Sequence, residues 1–308
     1  MDKRKAVCCF VWIIAASGMA LIFFTAKYLY WDKNEDLRQD KETLSPYDDY
    51  SYVTLKEEAV GKGPLILVNN SNLCDFAQVE EMVTVNTHKN SSYKVKDNNQ
   101  RLNIEVMEPL NKMMDDFMKS KGKSDIMIVS AYRSFDEQES IYSSKAIEGE
   151  DKGALQWVAI PGGSEHHTGY AFDFGLYTSN GYSYKYDGKG IYSYILENAY
   201  KYGFILRYPE DKTSITSIYY EPWHFRYIGR PHAYILESKG MCLEEYIEYL
   251  KSFPYDGTHF YAKDFDGTDY EIYYVKSEGG ATRLPVPNDR KYSISGNNID
   301  GFIVTAYK

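Results

Sequence analysis

The chain has 308 residues and 44% hydrophobic composition, enough for one sizeable core and a small second module. Its formal net charge of -9 excludes nucleic acid as a natural partner, because a polyanion repels an acidic surface. Of its four cysteines, Cys8 and Cys9 sit in an apolar run near the start, and Cys74 and Cys242 show no metal-ligand spacing; the latter two are free to pair in an oxidising compartment or to remain thiols.

Lys3, Arg4 and Lys5 precede the uncharged apolar run Ala6–Ala26, which Lys27 closes. A hydrocarbon core takes about 20 apolar residues as a helix, so this run can span it. A cleaved signal peptide usually carries a shorter apolar region of about 7–15 residues and a small-residue cut site, and no good site follows here. The positive flank favours a cytoplasmic N-terminus. The expectation is a single-pass membrane protein: residues 1–27 form a cytoplasmic tip and signal anchor, and the remainder lies outside the cell. Residues 28–60 mix Asp, Glu, Lys, Ser and Tyr without a period, which suits a solvated stalk.

The folded domain is expected over 61–253. Leu65-Ile66-Leu67-Val68 before Asn69-Asn70 predicts a short buried strand ending in a turn. Val106, Leu110, Met113, Met114 and Phe117 recur at helical spacing and predict an amphipathic helix ending near Gly122. Ile126–Val129 predicts a strand. Ser134-Phe135-Asp136-Glu137 fits a capping box that starts a helix to about Ala146, leaving Arg133 in the strand-to-helix corner. Ile191–Tyr202 predicts a helix stopped by Gly203, Phe204–Leu206 a strand, and Glu221–Ile228 another strand, because Pro222 opposes a helix interior. Leu243–Phe253 predicts a helix. After Pro254 the texture changes to short aromatic or alternating runs, Phe260–Phe265, Tyr270–Val275, Tyr292–Ile294 and Phe302–Tyr307, separated by Gly- and Asn-rich turns; residues 254–308 are expected to form a small β appendage.

Chemistry concentrates in two segments. Ser164-Glu165-His166-His167-Thr168-Gly169-Tyr170-Ala171-Phe172-Asp173 and Glu221-Pro222-Trp223-His224 together hold three of the six histidines. A catalytic zinc needs three protein ligands and an open fourth position, and imidazole with carboxylate suits it. His166, Asp173 and His224 can supply the ligands, Glu221 a base that is not itself a ligand, and Arg133 a positive group for an oxyanion or a substrate carboxylate. The spacing by itself also fits a surface loop with incidental histidines, with Glu221 paired to Arg226 or Arg230 and Arg133 as a charge at a helix start.

The same residues resemble the VanY-type D-alanyl-D-alanine carboxypeptidases, zinc enzymes of the hedgehog/DD-peptidase fold. Ser164–Asp173 matches the family's Ser-x-His-x-x-Gly-x-Ala-x-Asp signature at every fixed position; Glu221, Trp223 and His224 match Glu-x-Trp-His; and Tyr132, Arg133, Ser134 and Gln138 match a Tyr-Arg-Ser corner followed by Gln. The resemblance covers roughly Leu65 to Leu250. It implies an α+β fold with helices flanking a mostly antiparallel sheet, and one Zn²⁺ on His166, Asp173 and His224. It also implies Glu221 as catalytic base, Arg133 on the substrate carbonyl, and Ser164 and Gln138 at the substrate's C-terminal residue. The implied reaction removes terminal D-Ala from peptidoglycan stem peptides or precursors, a chemistry compatible with vancomycin resistance. His167 stands where relatives often have Gln; as a fourth ligand it would close the open position, so a contact to substrate or to a neighbouring group is expected. His232 lies outside the motifs and is expected to be structural. The same zinc chemistry would also serve an LD-carboxypeptidase or a peptidoglycan endopeptidase. A non-catalytic wall-binding module is the third reading, opposed by the presence of Glu221.

Overall fold

The structure, a computed structural model, describes residues 39–42, 49–76, 79, 82–148, 158–178 and 183–307. The expected anchor and most of the expected stalk lie outside the described residues, among which no helix is long and apolar enough to cross a membrane.

A central sheet carries the strands in the order Lys94–Val95, Ile126–Ser130, Ala171–Tyr177, His224–Tyr227 and Phe204–Leu206, with Ser183–Lys185 added beside Ala171–Tyr177. Its pairings are antiparallel except the one between Lys94–Val95 and Ile126–Ser130. Strand side chains alternate between faces. Phe172 and Phe174 therefore point to one side of their strand and Asp173 to the other. Phe225 pairs with Phe172 and His224 with Asp173, so aromatics collect on one face and polar groups on the opposite one.

The helix Ile104–Lys121 covers the aromatic face. Its stripe of Val106, Met107, Leu110, Met113, Met114 and Phe117 is buried in one cluster with Phe172, Phe174, Phe204 and Phe225. Truncating such a buried aromatic to Ala costs about 3–5 kcal/mol. Asn103 caps the helix by accepting from the Glu105 amide, and Gly122 ends it at φ 67°, a left-handed conformation that favours glycine. The expected capping box is present: Ser134 and Glu137 exchange bonds at the head of Phe135–Glu148.

Three expectations need correction. Leu65–Val68 is buried as read but is not a strand. Its amides are satisfied out of register, Leu65 by the Ser295 hydroxyl at 2.9 Å and Leu67 by the Asn297 carbonyl at 3.1 Å. Glu221–Ile228 is strand only over His224–Tyr227, the preceding residues forming a turn in which the His224 amide bonds the Glu221 carbonyl. Ile191–Tyr202 breaks into a short α-helix, Ser193–Asn198, between two 3-10 turns.

The stalk and the appendage also change. Tyr50–Lys56, read as solvated stalk, is a strand paired along its whole length with Ala281–Pro287. The latter was not among the strands expected from the sequence; it carries Pro285 and Pro287, and in this three-stranded sheet it is an edge strand, where proline is tolerated. The remaining C-terminal strands form a four-stranded sheet, Phe260–Lys263, Asp269–Lys276, Gly301–Tyr307 and Tyr292–Gly296 in spatial order. That sheet is not peripheral. Tyr270, Ile272, Tyr274 and Ile303 share a core with Leu65, Leu67, Ile205 and Ile228, and with the helices His232–Ser238 and Leu243–Lys251. Cys74 and Cys242 are unpaired thiols, and Cys242 caps the latter helix.

His232 joins the helices to the C-terminal sheet as the expected structural residue, its Nδ1 2.8 Å from the Tyr246 hydroxyl and its Nε2 2.8 Å from that of Thr305. Burial pushes its pKa down to about 3, against about 6.5 in an unfolded chain. Between those values the unfolded state binds a proton that the folded state refuses. Stability is therefore full above pH ~6.5 and falls toward pH ~3, by at most about 1.4 kcal/mol per pH unit. The urea midpoint should drop between pH 7 and pH 5, and should drop less in His232→Gln. Equal slopes in the two proteins would exclude His232 as the cause.

Candidate metal centre and catalytic cleft

The polar face of the sheet builds the site by cross-strand register. Ser130, Asp173 and His224 lie side by side on three adjacent strands, a register reached because Ile126–Ser130 slips by one residue between Ile128 and Ser130. Directly paired Cβ atoms sit about 4.5–5.5 Å apart. The 3-10 turn Glu165–Thr168 brings His166 over this row. Gly169 ends the turn at φ 73°, and a Cβ there would lie 3.0 Å from Met82 Sδ and 3.2 Å from the Asn103 amide nitrogen. The signature glycine thus serves both a left-handed backbone and a close approach.

His166, Asp173 and His224 each offer a ligand atom, all within 4.8 Å of one another. His166 Nε2 lies 3.3 Å from Asp173 Oδ2, and His224 Nδ1 lies 3.1 Å from Asp173 Oδ1. The His166 Nδ1 is held 2.6 Å from the Ala131 carbonyl, which leaves Nε2 as the free donor. Asp173 Oδ1 is buried and has no hydrogen-bond partner. Two imidazole nitrogens and a carboxylate around an unsatisfied buried oxygen fit a divalent cation such as zinc. The electrostatics agree. Burial pushes His166 down to about 4, keeping it a neutral donor. Burial opposes charge on His224 too, but the nearby carboxylates of Asp173 and Glu165 raise it to about 9, so the site attracts positive charge.

Glu221 sits in the turn before His224, with Oε2 3.6 Å from His224 Nδ1. Burial and the nearby Asp173 raise its carboxyl to about 7, while His224, Lys185 and Arg133 pull the other way. Arg133 leaves the end of the Ile126–Ser130 strand and is fixed by three bonds: Nη1 donates to Gln138 Oε1 at 2.6 Å, Nη2 to Ser130 Oγ at 3.0 Å, and its backbone amide to the His166 carbonyl at 3.1 Å. Burial lowers its pKa while Asp173 and Glu221 favour its charge.

These groups share a cleft of about 210 Å³ with Ser164, Gln138, Tyr208 and Trp223, walled by Ile141, Val158, Ala159 and Ile218. The structure brings together all seven residues singled out in the sequence. Gln138 differs from expectation in detail: it is buried, with Oε1 on Arg133 and Nε2 2.7 Å from the Ala159 carbonyl, so it braces Arg133 and the cleft wall. Ser164 lines the cleft without capping the turn it begins. His167 stands outside the ligand trio. Its Nδ1 meets the Arg133 carbonyl at 2.7 Å and its Nε2 accepts from the Gly162 amide at 3.1 Å, tying the arginine corner to the Pro161-Gly162-Gly163 turn.

Three residues were not found by sequence reasoning. Tyr208 packs its ring 4.9 Å from that of His224, and Lys185 sits 3.3 Å above the Trp223 ring at the cleft rim. Neither lies at a spacing that marks it. Glu165 is buried against Arg207 and Arg226; a charge between the two signature residues Ser164 and His166 was the available signal.

A D-alanyl-D-alanine carboxypeptidase of Enterococcus faecium is 35% identical over 290 residues, covering 93% of this chain and 89% of that protein. The chain belongs to the VanY family of D-alanyl-D-alanine carboxypeptidases. The sequence pattern of that family, "VanY: D-alanyl-D-alanine carboxypeptidase", matches residues 99–230, a span that includes every cleft residue named above. Among solved structures, the vancomycin resistance D,D-dipeptidase VanXYg, in complex with a D-Ala-D-Ala phosphinate analog, superposes with TM-score 0.74 at 32% identity, covering 84% of this VanY-family chain and 99% of that one. The LD-carboxypeptidase LdcB superposes with TM-score 0.51 at 33% identity, covering 59% of this chain and 84% of its own. The VanXYg superposition covers 84% of the chain, so the fold is the α+β fold of the family with helices and mixed sheets.

The ligand assignment predicts that Asp173→Ala and His224→Ala lose zinc affinity by at least about 100-fold in chelator competition, more than the roughly 10–100-fold typical of residues that only support a ligand. Gly169→Ala should destabilise the fold by at least about 1–2 kcal/mol, the cost of left-handed backbone with a Cβ, seen as a lowered Tm.

Proposed function

We propose that this VanY-family chain is a zinc-dependent carboxypeptidase that hydrolyses the terminal D-Ala from peptidoglycan stem peptides or their precursors. The observation that carries this reading is the convergence of the His166, Asp173 and His224 donors with Glu221 and Arg133 in one cleft. One ion per chain would be held by those three residues. When bound, such an ion polarises a carbonyl and lowers the pKa of its water to about 7.

The chain's own groups supply the remainder. Glu221 takes the proton of the attacking water and returns it to the leaving amine, since it faces the cleft beside His224 without belonging to the ligand trio. Arg133, locked by Gln138 and Ser130, presents positive charge to the developing oxyanion with no reorganisation. Ser164 contacts the substrate's C-terminal residue, and Gln138 acts mainly through Arg133 and the wall residue Ala159. Trp223, Ile141 and Ile218 shape the apolar part of the cleft. The substrate lies outside the membrane, which supports the anchor reading of residues 6–26 and an extracytoplasmic domain. The D-Ala-D-Ala ligand chemistry of the VanXYg complex supports the D,D preference.

The likeness to LdcB supports a second reading with the same machinery, removal of D-Ala from the L,D bond of a tetrapeptide. Incubating purified protein with pentapeptide and with tetrapeptide, with and without chelator, separates the two. We expect D-Ala release from pentapeptide that chelator abolishes and zinc restores; release from tetrapeptide alone would sink the D,D reading. Glu221→Ala should bind zinc stoichiometrically but lose at least about 100-fold in kcat, the usual scale for a general base. Undiminished turnover would remove Glu221 from the mechanism.

A further inference from the structure

Glu165 is one of the most deeply buried charges in the described structure, and half of it is unexplained by the fold. It lies between Ser164 and His166 with its side chain fully shielded. Oε1 accepts two charged bonds, from Arg207 Nε at 2.7 Å and from Arg226 Nη1 at 2.8 Å. Oε2 has no hydrogen-bond partner. It lies 3.6 Å from His224 Nε2, which is also buried and unpartnered. Two polar atoms facing each other in a dry interior carry a desolvation cost that a hydrogen bond between them would remove.

The opposite nitrogen of the same ring, Nδ1, points toward Asp173 and Glu221. An imidazole that ligates a metal is neutral and carries its proton on the other nitrogen, and that proton needs an acceptor. His166 has one in the Ala131 carbonyl. We propose that Glu165 is the positioning residue for His224: its Oε2 accepts the Nε2 proton, holds the ring in that tautomer, and so directs the Nδ1 lone pair into the metal site. This rests on reading His166, Asp173 and His224 as the metal ligands.

The surroundings are built for the task. Arg207 forks onto Glu244 at 2.6 and 2.9 Å, and Arg226 donates to the Pro64 and Ile66 carbonyls. Glu165 is thereby fixed from behind, and the two carboxylates offset the two guanidinium charges. A cation beside His224 then meets a carboxylate-backed imidazole without net repulsion from the arginines. Arg207 also donates its backbone amide to the His224 carbonyl at 3.3 Å, so the same residue holds ring support and strand in one frame.

The test is Glu165→Gln in the full chain. Glutamine keeps an oxygen for the arginines but turns an NH₂ donor toward the Nε2 proton. We expect the variant to fold with a far-UV spectrum like wild type and to bind zinc 10–100-fold more weakly in chelator competition. In the zinc-loaded wild type with ¹⁵N-labelled histidine, long-range NMR should place the His224 proton on Nε2 and the His166 proton on Nδ1. Folded Glu165→Gln with unchanged zinc affinity, or a His224 proton on Nδ1 in wild type, overturns the proposal; if the variant does not fold, the wild-type spectrum decides. Wild type that binds no zinc would defeat the metal-site reading itself. Loss of zinc in Asp173→Ala with retention in Glu165→Gln would defeat only the role of Glu165.

Discussion

Antiparallel pairing of Ala171–Tyr177 with His224–Tyr227 sets Asp173 opposite His224 and Phe172 opposite Phe225. Because strand side chains alternate with a period of two, a slip of one residue would carry the two polar groups into the aromatic core and the phenylalanines into the cleft. The register is therefore held by hydrophobic burial on one face while it assembles the site on the other. The helix Ile104–Lys121 secures that burial. What looks like catalytic geometry is, energetically, a consequence of how Phe172, Phe174, Phe204 and Phe225 pack.

Behind the polar face stands a buried ionic lattice, Glu165, Arg207, Arg226 and Glu244. Buried ion pairs gain little net stability, because the desolvation of each charge offsets their attraction, but removing one partner strands the others. Such a lattice suits precision more than stability. Its bonds run to the 64–66 segment, to the Leu243–Lys251 helix and to the turn that carries His166. The metal trio is thus fixed to several parts of the chain at once.

The C-terminal strands belong to this framework. Leu65 and Leu67 hang from Ser295 and Asn297, and the same segment continues to Asn70 and Cys74, which bond Ile160 and Gly162 beside the cleft wall. A core shared by Ile205, Ile228, Tyr246 and Ile272 joins the two parts. Tyr50–Lys56 closes the arrangement by pairing with Ala281–Pro287, far away in sequence.

By itself the sequence determined the chemistry: which residues could hold a metal, which could act as base, and where helices with clear periodicity and caps begin and end. The amphipathic stripe from Val106 to Phe117, the Ser134 capping box and the signature from Ser164 to Asp173 are local patterns, legible because their physics acts over a few residues. Only the tertiary structure decided what depends on distant partners. Pairing of Tyr50–Lys56 with Ala281–Pro287 turned apparent stalk into strand, and long-range bonds to Ser295 and Asn297 made a buried segment of Leu65–Val68 without a ladder. Gln138 and His167 became braces of Arg133 and the cleft wall, and Glu165 came to face His224, because the fold brought their partners within reach. A side chain's chemistry is written at its own position; its role depends on what the fold sets beside it.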